Sequence, residues 1–163
     1  MRVVRCFAFL DLCGFTEYTE THGDEEAVAV LSQLRAAVRI AAEHHGVRVT
    51  KWLGDGVMLS GVEASGVIAC VLEVRDSLGD QGGLQLRGGI GHGPVIMFEG
   101  DDYIGTTVNV AARLCDGAAP GQLLMTGGVT AQLPPGTFAR PVRPTPMRGM
   151  TELVEAAELM PAA

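Results

Sequence analysis

The sequence predicts one α+β domain of ferredoxin-like, split-βαβ build: an antiparallel sheet covered by helices on one face, with further α and β elements after it. Three observations predict it. Apolar runs of strand length and apolar stripes of helical spacing follow one another in the order β-α-β-β-α-β, and an Asp-Gly turn joins the two middle strands. A chain of 163 residues, 47% of them hydrophobic, is also the size of one domain that can bury its own core, so a single domain is expected over 1–163.

Residues 3–10, VVRCFAFL, read as a first strand that ends at Asp11. From Asp24 to Gly46, Ala27, Val28, Leu31, Leu34, Val38 and Ala42 recur at helical spacing, with acids at the start and HHG at the end. VRVTKWL and GVMLS make a hairpin across Gly54-Asp55-Gly56, and VEASGVIACVLEVRDSLG a second helix that stops at Gly79. LQLRGGIGHGPVIMFEG is expected as two strands turning near Gly91 to Pro94, and DDYIGTTVNVAARLCDGA as a loop leading into a third helix. GQLLMT is a short strand and VTAQLPP a short helix and turn; MRGMTELVEAAEL closes the fold as a strand, although its alanines and glutamates also allow helix. The Pro-rich stretch 133–146 is expected as a mobile excursion, too near the C terminus to separate two domains.

Composition excludes some function classes. A net charge of −7 with five Phe, two Tyr and one Trp argues against a nucleic-acid groove, which wants a basic face and stacking platforms. An anionic ligand would then be held locally, by a few basic groups, backbone N–H groups or metal ions. Cys6, Cys13, Cys70 and Cys115 show no CxxC pair or zinc spacing and read as buried thiols of a reduced compartment, so the cytoplasm is expected. The N-terminal apolar run is broken by Asp11 and reads as a buried strand, with neither signal peptide nor membrane span.

The stretch KWLGDGVML places Lys51 and Asp55 four positions apart, about 13 Å along a strand, too far for an ion pair. Taken as a fragment, it reads first as a surface hairpin, since Asp-Gly between apolar segments needs no chemistry. Asp11, ending an apolar strand before LCGFT, reads in isolation as a helix cap; Gly14 permits a tight bend, and such a loop can also aim N–H groups at phosphate while the carboxylate holds a cation. In a split-βαβ sheet the first strand adjoins the hairpin, so Asp11 and Asp55 can converge, which favours a two-metal phosphoryl-transfer site over capping. Asn109 and Arg113, four apart, share one helix face and could reach one ligand, or simply sit on the surface. GGIGHGPV matches neither the dinucleotide nor the Walker fingerprint; its glycines suit a tight hairpin or close packing. His44 and His45 are expected to meet the helix dipole and point in different directions, and no histidine is assigned a metal.

FAFLDLCGFT, KWLGDGVML, LRGGIGHGPV, DDYIGTTVNVAARL and APGQLLMT together resemble, in order and spacing, the catalytic domain of the class III nucleotidyl cyclases. The resemblance runs from about residue 4 to 132, with MRGMTELVEAAEL similar to the family's closing segment. It implies an adenylate cyclase converting ATP to 3′,5′-cyclic AMP and pyrophosphate with two divalent cations, Mg²⁺ or Mn²⁺. The family's metal aspartates fall on Asp11 and Asp55, with the Leu12 carbonyl as a further ligand and the N–H groups of Gly14, Phe15 and Thr16 facing phosphate. Its purine-reading pair falls on Lys51 and Asp102, its ribose and α-phosphate residues on Asn109 and Arg113; Arg148 stands where an outer-phosphate lysine is usual.

Adenine presents an acceptor at N1 and a donor at its amino group, which a lysine and an aspartate complement, so the pair favours ATP over GTP. Resembling guanylate cyclases carry an acid and a small residue there. The resemblance also implies a head-to-tail homodimer whose shared sites take the metal aspartates from one copy and the other residues from its partner. Trp52 departs from the family's small or β-branched residue and either crowds the base pocket or packs inside. The rival readings are a catalytically silent nucleotide-binding or dimerisation module and a guanylate or mixed-specificity cyclase.

Overall fold

The computed structural model describes residues 1–79, 83–100, 102–146 and 153–161. Strand β1 (Arg2–Leu12) leads through a short helix α1 (Phe15–His22) into α2 (Asp24–His45), the hairpin β2 (Arg48–Leu53) and β3 (Gly56–Gly61), helix α3 (Ala64–Leu78) and strand β4 (Leu86–Phe98). Then come β5 (Asp102–Ile104), α4 (Thr106–Gly117), β6 (Leu123–Thr126), a 3₁₀ turn at Thr130–Gln132, β7 (Thr137–Pro146) and β8 (Leu153–Pro161). The eight strands form one sheet in the order β2-β3-β1-β4-β6-β8-β7, with β5 added on β4. Its first four members have the split-βαβ order and are antiparallel, as expected; β4 and β6 run parallel, so the whole sheet is mixed.

Helix α2 follows its periodicity. Gly23 (φ 91°) and Gly46 (φ 65°) bound it, three acids occupy the first turn, and Ala27, Val30, Leu34, Val38, Ala41 and Ala42 form the buried stripe. The stripe is rotated slightly from the expected one, and Val28 faces solvent. Alternation along β1 divides the core: Cys6, Ala8, Leu10 and Leu12 meet α2 and α3, whereas Phe7 joins Met58, Val95, Tyr103 and Ala111 on the opposite face.

That second face carries α4, which corrects the expectation of helices on one side only. The same contact explains why β4 is one continuous strand and not two strands turning at Gly91 to Pro94. A Cβ at Gly89 would overlap the Ala111 carbonyl and the Cys115 amide, and one at Gly93 would lie 2.7 Å from Thr107 Oγ1. The glycines clear a seat for α4 on bare backbone, the close-packing alternative, and do not bend the chain.

The expected excursion at 133–146 is also corrected. From Thr137 it forms β7, paired with β8 alone at the edge of the sheet, where a proline such as Pro141 removes no obligatory ladder bond. No helix among the described residues is long and apolar enough to cross a membrane.

Candidate functional site

Asp11 lies near the end of β1, paired in register with Gly56 on one side and Arg87 on the other. A Cβ at Gly56 would come within 2.6 Å of the Leu10 carbonyl, so glycine is what allows β3 to start hard against Asp11. The two-residue turn before it, with Gly54 at φ 64°, hands Asp55 to the same corner. Burial raises the Asp55 carboxyl above its ordinary range and the negative charge of Asp11 adds to this, while Arg87 acts the other way.

After Asp11 the chain bends at Gly14 (φ 78°), held by the Cys13 N–H donating to the Gln85 carbonyl at 2.9 Å, and α1 starts at Phe15 with no side-chain cap. Its leading N–H groups are therefore free to face an anion. A cavity of about 570 Å³ opens here, lined among others by Asp11, Asp55, Gly14, Phe15, Thr16 and Arg87.

Arg87 was missed in the sequence. Its Nε donates to Asp11 Oδ1 at 2.7 Å, its Nη2 to Oδ2 at 3.2 Å and its Nη1 to the Asp116 carbonyl of α4 at 2.9 Å. Strand alternation puts it on the face of Gly89 and Gly91, a signal available in LRGGIG; its position opposite Asp11 depends on β1–β4 register and is not.

Lys51 and Asp102 come together elsewhere. Lys51 pairs in register with Met58, whose side chain lies on the α4 face, and Tyr103 packs edge-on against Phe7 at 5.1 Å in the same cluster. β5 itself pairs antiparallel with β4, Asp102 opposite Phe98, and Lys51 Nζ donates to Asp102 Oδ1 at 3.1 Å. The Tyr103 N–H donates to the same oxygen, and the hydrogen bond and charge of Lys51 hold the Asp102 carboxyl below its usual range.

Trp52 points the other way. It packs with the α2–α3 core, beneath the guanidinium groups of Arg35 (4.8 Å to the ring centroid) and Arg39 (5.1 Å), so of its two alternatives the structure shows inward packing.

Asn109 and Arg113 are exposed on α4, whose other face is buried through Val110, Ala111, Leu114 and Cys115. Among the described residues neither side chain has a hydrogen bond or ion pair, and nothing joins them to the Asp11–Asp55 corner or to Lys51–Asp102. Arg148 lies outside the described residues. His44 and His45 do not diverge as expected: His44 Nδ1 is 2.9 Å and His45 Nε2 3.2 Å from the two oxygens of Glu73 on α3.

The donor set at the corner suits Mg²⁺ or Mn²⁺. Such cations take one or two carboxylates and complete their shell with water and substrate phosphate, so two aspartates and the Leu12 carbonyl suffice, and no cluster of three metal-binding side chains occurs among the described residues. Two like charges meeting at a partly buried corner are stabilised by a cation there.

A family model described as the adenylate and guanylate cyclase catalytic domain matches residues 4–155. An uncharacterized protein of Mycobacterium tuberculosis is 34% identical over 127 residues, covering 77% of this chain and 33% of that protein. The pH-sensitive adenylate cyclase of the same species is 33% identical over 129 residues, covering 77% and 32%. The chain thus spans about a third of the length of these relatives. In structure it superposes on the adenylyl cyclase CyaB of P. aeruginosa with a TM-score of 0.88 and 23% identity, over 100% of this chain and 96% of that one, which shows a shared fold.

Proposed function

Because the chain belongs to the adenylate and guanylate cyclase catalytic domain family, we propose that it converts ATP to 3′,5′-cyclic AMP and pyrophosphate at a site completed by two copies packed head to tail. The observation that carries the adenine reading is the Lys51–Asp102 contact: a donor and an acceptor side by side, matching N1 and the 6-amino group. The one that supports a shared site is Arg113, a cation without a partner among the described residues, on a helix face that reaches neither of the other groups of its own chain.

In the reaction the ribose 3′-oxygen bonds to the α-phosphorus as the bond from that phosphorus to the β-bridging oxygen breaks, and pyrophosphate leaves. Divalent cations held by Asp11, Asp55 and the Leu12 carbonyl would acidify the 3′-hydroxyl and offset phosphate charge. The free N–H groups at the start of α1 receive the phosphates. From the other copy, the Asn109 amide orients the ribose and the Arg113 guanidinium balances the charge that grows on the α-phosphate oxygens. Arg148 serves the outer phosphates. The proton leaves to water or phosphate, since no side chain is assigned as general base.

The test is incubation of the purified chain with ATP or GTP and Mg²⁺ or Mn²⁺, with quantification of cyclic products. Cyclic AMP in excess of cyclic GMP is expected; no cyclic nucleotide above a metal-free blank rules out the enzyme.

A further inference from the structure

We propose that Arg87 gates the candidate metal centre, holding both oxygens of Asp11 so that a divalent cation must take over a carboxylate already engaged. This inference rests on the metal-site reading of Asp11 and Asp55. Two of the guanidinium's five N–H groups are spent on Asp11 in a two-pronged pair, and a third fixes it to the Asp116 carbonyl at the end of α4. The remaining two are unused among the described residues, and Arg87 lines the same cavity as Asp55.

The charges make the pairing consequential. Asp11 and Asp55 together carry two negative charges, and Arg87 cancels one of them. Both members of the pair are about three-quarters buried, with side-chain exposures of 27% for Arg87 and 22% for Asp11, so solvent screens their attraction little. A cation entering alone therefore meets a corner of reduced charge whose better ligand already has both oxygens in hydrogen bonds. The Asp116 contact lets the guanidinium leave Asp11 without leaving the site, because Nη1 keeps its anchor while Nε and Nη2 turn away. Arg87 is thus a positioning residue that acts on the cation through Asp11.

A merely structural arginine and a gating one differ in sign. Mn²⁺ binding to the nucleotide-free chain, followed by the electron paramagnetic resonance signal of free Mn²⁺, is compared for the wild type, Arg87→Gln, Arg87→Lys and Asp11→Asn. Gating predicts that Arg87→Gln binds Mn²⁺ at least threefold more tightly than the wild type, and that Arg87→Lys, which keeps the charge and loses the fork, lies between. Equal or weaker binding by a folded Arg87→Gln chain, with binding still dependent on Asp11, overturns the gate and leaves the metal reading standing. Binding that Asp11→Asn does not reduce overturns the metal reading, and the gate with it. The unmodified chain gives a second readout: the Arg87 Nε–H resonance should move and exchange faster with solvent at saturating Mg²⁺, and an unmoved resonance overturns the gate without recourse to the glutamine variant.

Discussion

Lys51 and Asp102, 51 positions apart, meet as donor and acceptor at 3.1 Å, with the Asp102 oxygen held in place by the Tyr103 N–H. The pair is about half exposed, so as an ion pair it adds little stability; under the proposed function it is the pair that reads the base. An adenine edge entering between them would exchange one internal hydrogen bond for two to the base. Replacing both, Lys51→Glu with Asp102→Ser, reverses the polarity toward guanine. The expected result is a fall in kcat/KM for ATP of roughly 100-fold, at about tenfold per misplaced hydrogen bond, with GTP conversion rising. Competition between the two nucleotides measures it, and an unchanged product ratio removes these residues from base recognition.

Arg113→Ala should lower kcat by about 10²–10³-fold with little change in KM, the signature of a group that acts in the transition state. Mixed with Asp11→Ala chains in equal amounts, it should recover roughly a quarter of wild-type activity, since half the dimers would carry one intact site of two. Steady-state assays after demonstrated subunit exchange decide the matter. No recovery would mean that the two residues do not serve one shared site.

The seat of α4 is sensitive to a single methyl group. Gly89→Ala would drive a Cβ into the Ala111 carbonyl and the Cys115 amide, which cannot yield as a side-chain tip can. A loss of about 1–3 kcal/mol is expected in chemical denaturation, with activity falling further because Asn109 and Arg113 ride on the displaced helix. Wild-type stability in this variant would show that α4 has room to shift.

Glu73 accepts hydrogen bonds from both His44 and His45, which lower its carboxyl from the ordinary value although its partial burial opposes them. A lowered folded value stabilises the fold above the unfolded value, and the contribution is lost as pH falls through the folded one. Glu73→Gln should therefore be less stable than the wild type near neutrality. The difference should close as pH drops below about 4.5, the unperturbed glutamate range. Thermal unfolding of both chains across pH tests this, and a difference independent of pH would refute it.

Much of this fold was legible because its elements are locally coded. The period of α2, the Gly54-Asp55 turn and the Asp11 strand end depend on residues within a few positions of one another. The glycines of β4 were misread as a turn because glycine signals both a bend and a close approach, and only α4, arriving from some 20 residues further on, distinguishes them. The prolines of β7 misled similarly, since their tolerance depends on β7 being an edge.

The sequence by itself determined which side chains are available: two aspartates at strand and turn ends, a lysine donor and an aspartate acceptor, and an amide and a guanidinium four apart on a helix. Tertiary structure decided how they group. Register between β1 and β4 sets Arg87 against Asp11 across 76 positions, and the packing of Tyr103 on Phe7 carries Asp102 to Lys51. Strand pairing and aromatic packing are contacts between distant segments, and no local pattern records which residue will stand opposite which.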